Sequence, residues 1–105
     1  DVYRKAFFYT LGILVTTRTN IDSLYDFQSN CPKLDGFGQK WQTEYTLKLC
    51  RLAINLYNGF HQNGTSWEDA TTDTDGKYTP YELFSMPFVK YMVEAIKIRY
   101  PQYMK

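Results

Sequence analysis

Histidine is almost missing: His61 is the only one in 105 residues. A zinc site or a nucleophile–histidine pair would have to be built on that one ring. Ser66, Glu68 and Asp69 follow it. Closeness along a loop does not align a nucleophile, a base and an orienting carboxylate, so His61 reads as a surface residue. Cysteine is sparse as well. Cys31 and Cys50 either bridge the loop ahead of the central helix, closing about 20 residues for roughly 3 kcal/mol, or stand as the two thiols of an ordinary domain. Cys50 falls on an apolar helical face, and Cys31 has only Lys33 nearby to lower its pKa, so neither reads as activated. Charge of one sign is not in excess. Twelve basic residues face 11 acidic ones, which argues against a nucleic-acid surface or an acidic-membrane surface. Long apolar runs are missing too: the longest uncharged stretch, 6–17, has about a dozen residues, where a membrane span needs about 20. No glycine-rich phosphate loop and no paired-carboxylate signature is visible. The chain reads as non-enzymatic.

What is present is aromatic. Ten Tyr, seven Phe and two Trp supply large side chains that fill a small core or, with the polar tip of tyrosine, cover surfaces where partners meet. Residues 41–60 carry the clearest helical period. At about 100° per residue, Trp41, Tyr45, Leu49, Leu52, Ala53, Leu56 and Phe60 share one face, and Leu47, Cys50, Ile54 and Tyr57 the opposite one. Two apolar faces imply two sets of neighbours, with Glu44, Lys48, Arg51 and Asn55 as a narrow wet strip. Asn58-Gly59 suits the left-handed turn that closes helices. The expected fold is all-α: a compact bundle of four to five helices around a central helix at about 41–58, residues 1–105 forming one domain that stands alone or belongs to a longer protein.

Other helices are expected at 2–17, weakened by Gly12 and the β-branched Val15, Thr16 and Thr17, and at 19–27, capped by Thr19 or Asn20. Another starts at Thr79. Pro80 suits the first helical position and Glu82 can reach back to the cap N–H, while Pro87 should kink or restart the helix near Ser85. Between the central helix and Thr79 lies a polar stretch of about 18 residues, long enough to expect function or mobility. Its end, TTDTDGKYTPYE, resembles the calcium loop of EF-hand proteins over 71–82. Asp73, Asp75 and Glu82 match three ligand positions and Gly76 the turn glycine, while Thr71 stands where the first ligand Asp belongs. The resemblance implies calcium as the ion; the same residues also read as a turn (Asp73, Asp75) and a helix cap (Glu82).

The leading functional expectation is a helical protein–protein interaction domain that uses aromatic and aliphatic surface. Tyr3, Phe7, Tyr81, Phe84, Tyr91 and Tyr100 are the expected contact residues, with another protein as partner or a second copy of the chain. A secreted helical carrier of an apolar small molecule, with Met86 and Met92 lining its cavity, and an EF-hand-like cation module are the alternatives. The compartment leans intracellular. It leans to the secretory route if the Cys31–Cys50 bridge and a glycan on Asn63-Gly64-Thr65 are both real.

Overall fold

Thr43 opens the helix on which the others pack. Its hydroxyl accepts from the Thr46 amide (3.2 Å) and the Thr46 hydroxyl accepts from the Thr43 amide (2.6 Å), satisfying two free donors of the first turn reciprocally. The computed structural model describes residues 1–104. In chain order α1 is Val2–Gly12, α2 Val15–Thr19, β1 Tyr25–Asp26, β2 Cys31–Pro32, α3 Glu44–Asn58, β3 Gln62–Asn63, β4 Thr71–Thr72, α4 Pro80–Leu83 and α5 Val89–Arg99. β1 pairs antiparallel with β2, Tyr25 opposite Pro32, and β3 pairs antiparallel with β4, Gln62 opposite Thr72. The fold is therefore mixed. Five helices carry two small hairpins, which corrects the expectation of an all-α helical bundle.

Helix α3 divides the interior. Leu49, Leu52 and Leu56 pack into one core with Ala6, Leu83, Met86, Met92 and Ala95. Cys50, Ala53 and Ile54 pack into another with Phe7, Leu11, Leu24, Tyr25 and Leu34. The two apolar faces thus find two sets of partners. Gly59, at φ 78°, supplies the left-handed cap that ends the helix. The packing departs from the periodic reading in several places. Ala53 and Phe60, expected on the face of Leu49 and Leu56, belong with the second core, and Tyr45, expected on that same face, is 39% exposed. Trp41 lies before the helix, which the Thr43 cap starts at Glu44. Lys48, assigned to the wet strip, is buried: its ammonium donates to the Glu82 carbonyl and lies 3.9 Å from the Glu82 carboxylate.

The expected helix over 19–27 shrinks to a single 3₁₀ turn, Ile21–Ser23, followed by the first hairpin. Asp26 is the reason. Its Oδ1 accepts from the Gln28 and Ser29 amides (2.9 and 3.3 Å), and Asn30 takes a positive φ of 60°, so the chain turns instead of continuing as helix. The first helix also ends sooner than expected, at Gly12. Leu14 is extended (φ −112°, ψ 144°), and the Thr17 hydroxyl bonds the carbonyls of Leu11 and Leu14 across the break. Pro87 interrupts the last segment as its chemistry requires, with α4 stopping at Leu83 and α5 restarting at Val89.

Candidate functional site

Helices α1 and α5 lie side by side and antiparallel. Tyr3, near the start of α1, meets Arg99 at the end of α5, while Tyr9 and Ile13 of α1 share a cleft with Tyr91 of α5. Ala6 and Ala95, both fully buried, let the two backbones approach. On the outer side of this seam Tyr9, Gly12, Ile13 and Tyr91 line an open cleft of about 330 Å³. A Cβ at Gly12 would meet nothing within 4 Å, so the missing side chain leaves that end of the cleft empty. At the other end Arg99 donates from Nε to the Leu56 carbonyl (2.7 Å), and its guanidinium lies over the rings of Tyr3 (4.0 Å) and Tyr100 (4.5 Å).

The six aromatic residues expected at a contact surface separate accordingly. Tyr3 and Tyr91 are exposed along the seam, and Tyr100 is half-buried against Arg99. Tyr81 is 81% exposed on the short α4, away from the seam residues in sequence and helix. Phe84 packs half-buried on the first core. Phe7 is corrected outright: it is 2% exposed in the second core, edge-on to Phe8 and Tyr57, because the apolar stripe of α1 that carries it faces α3. Tyr9 and Ile13 lie four residues apart on one side of α1, a placement that gains meaning only once α5 is laid beside it.

The acidic loop does not assemble as an ion site. Asp73 Oδ2 accepts from the Lys77 amide (2.7 Å), its Oδ1 is buried without a hydrogen-bond partner, and Asp75 is exposed. Glu82 caps through its own amide, which donates to the Thr79 hydroxyl, and its carboxylate turns to Lys48 instead of back to the Thr79 N–H. Among the described residues no three His, Cys, Asp or Glu side chains converge to hold a metal. Asp73, Asp75 and Glu82 are thus poorly disposed for calcium, and Gly76 at φ 69° serves the turn alone.

His61 donates from Nδ1 to the Gly59 carbonyl (2.8 Å), while the Asp69 carboxylate accepts from the Thr65 and Ser66 amides, the latter chiefly holding it below the usual carboxylate range. Cys31 and Cys50 are free thiols, which corrects the bridged alternative. Cys31 is exposed beside Ser29 on the first hairpin, and Cys50 is sealed in the second core, where burial pushes its pKa up to about 12. Asn63 lies half-buried in β3 instead of projecting from a loop. No helix among the described residues is long and apolar enough to cross a membrane.

No curated protein and no solved structure matches the chain. A family model described as "Family of unknown function (DUF6075)" matches residues 1–105, and the chain belongs to that family.

Proposed function

We propose that this chain is a non-enzymatic protein-interaction domain whose docking surface is the outer side of the α1–α5 seam. The observation that carries the reading is the cleft lined by Tyr9, Gly12, Ile13 and Tyr91. It is apolar and tyrosine-rimmed on two rigid helices, with one wall opened by a glycine. Tyrosines half-exposed on a packed scaffold bring large contact area at low entropic cost, which suits them to anchor a partner. The groove between two antiparallel helices fits an apolar helical ridge of another protein, which would lie along it as a third helix.

The test compares affinity capture and sedimentation for three chains: wild type, Tyr91→Ala, which removes an anchor, and Gly12→Leu, which fills the cleft. Gly12 has open space around its missing Cβ, and Tyr91 is 50% exposed, so both variants keep the fold. The expected result is a partner held by wild type and released by both substitutions, each by about tenfold or more in affinity. A monomer whose captured proteins ignore both substitutions would end the reading.

A further inference from the structure

On the side of α3 turned away from α5 a second, chemically different cleft opens. Leu47 and Arg51, one helical turn apart, form its α3 side. Phe37 comes from the 3₁₀ turn Asp35–Gly38, Gln62, Asn63, Gly64 and Thr65 from β3 and the turn behind it, and Tyr78 closes the remaining side. The volume is about 210 Å³. For scale, a dry cavity of roughly 150 Å³ holds a benzene ring.

Arg51 is the unusual group. The residue is half-buried, yet its side chain makes no hydrogen bond or ion pair with any described residue. By contrast Arg4 pairs with Asp1 (2.8 Å) and Arg99 is bonded to Leu56. Its donors stay open to the cleft and to solvent, and its planar fork matches a carboxylate with two parallel hydrogen bonds. The rest of the lining offers apolar surface from Phe37, Leu47 and the Tyr78 ring and polar groups from Gln62, Asn63 and Thr65.

The walls are also fixed before any ligand arrives. The Tyr78 hydroxyl donates to the Gln62 carbonyl (3.0 Å), and the Asp69 carboxylate holds the Thr65 and Ser66 amides (3.1 and 3.0 Å). Gly38 lies so close to Thr65 that a Cβ there would come within 2.8 Å of its methyl. Asp73, whose charge reaches Tyr78, has one oxygen on the Lys77 amide and does not line the cleft. A preformed slot spends little ordering entropy on binding.

We propose that this cleft binds an organic carboxylate with a flat or branched apolar body, the carboxylate forked onto Arg51 and the body lying among Phe37, Leu47 and Tyr78. The inference goes beyond the docking reading and rests on the opposite side of α3, so either can fail without the other. A free acid and the terminal carboxylate of a peptide share this chemistry, and the experiment separates them.

Titrate the ¹⁵N-labelled chain with phenylacetate, phenylacetamide, inorganic phosphate, and acetyl-glycyl-phenylalanine with a free or an amidated terminus, following the backbone amides of residues 62–65 and the Arg51 side-chain Nε. Saturable shifts at these positions are expected with phenylacetate, with the free-terminus peptide, or with both, and which of them binds identifies the source. The neutral amides should bind about tenfold or more weaker, and Arg51→Gln should lower acid affinity by a similar factor. Equal binding of acid and amide, phosphate binding as well as the acids, an unaffected Arg51→Gln, or no saturable shift with either acid overturns the proposal. If Arg51→Gln does not fold, the acid–amide comparison on the wild-type chain decides.

Discussion

Tyr25 ties the first helix to the turn of the first hairpin through one side chain. Its ring is buried among Phe7, Phe8 and Phe27 at centroid distances of 5.5, 4.9 and 5.0 Å. Its hydroxyl donates to Asn30 Oδ1 (2.5 Å) and accepts from Arg4 Nε (3.2 Å). The turn that makes this convergence possible depends on Asp26. A hydrogen bond from the Ser29 side chain, with amide bonds from Gln28 and Ser29, holds its carboxyl below the ordinary value of 3.8. A carboxyl depressed in the folded state binds fewer protons there than in the unfolded chain. Its contribution is therefore present above pH 3.8 and lost as the pH falls below that through the folded value. Urea unfolding from about pH 6 to about pH 2.5 should show the wild-type midpoint falling at the acid end. Asp26→Asn, which keeps an acceptor but cannot titrate, should start lower and fall less. Parallel curves would remove Asp26 from the acid limb.

At the scale of elements, α4 is a single turn that cannot hold itself, since so short a helix leaves most of its donors and acceptors outside the ladder. Lys48 supplies the anchor from α3 by bonding the Glu82 carbonyl. Lys48→Met should speed hydrogen exchange at the Leu83 and Phe84 amides, which bond the Thr79 and Pro80 carbonyls, by about tenfold, while the α3 amides stay protected. Unchanged exchange there would show that packing of Leu83 alone secures the turn. The elements readable in the sequence were those with local signals: the period and Asn58-Gly59 stop of α3, the Thr79-Pro80 start of α4, and the interruption at Pro87. The hairpins were not, because each strand has only two residues, too short for an alternating pattern to appear. Asp26 and Asn30 were the overlooked turn signals. Lys48 was unreadable for another reason: whether a lysine at a helical position meets water depends on what crosses above it, here α4. The α1–α5 cleft likewise needs two helices far apart in sequence, and the Arg51 cleft needs four segments.

For the molecule as a whole, α1 and α3 each feed both cores. Ala6 and Leu49 belong to one, and Leu11 and Ile54 to the other. Neither core can loosen without disturbing the two helices that frame its neighbour. Leu49→Ala and Leu11→Ala should therefore each cost about 3 kcal/mol and lower the midpoint of one common transition. Calorimetry that resolves two transitions in either variant would show the cores to be separate units. The position of Arg99 carries this coupling into time. It donates to a carbonyl 43 residues earlier and lies against Tyr3 in the first helix, yet α5 is the last of the five helices to leave the ribosome. Until then Leu49, Leu52 and Leu56 have no lid from Met92 and Ala95, so the nascent chain presents a greasy stripe that a holding chaperone can read, and closure of that core waits for α5.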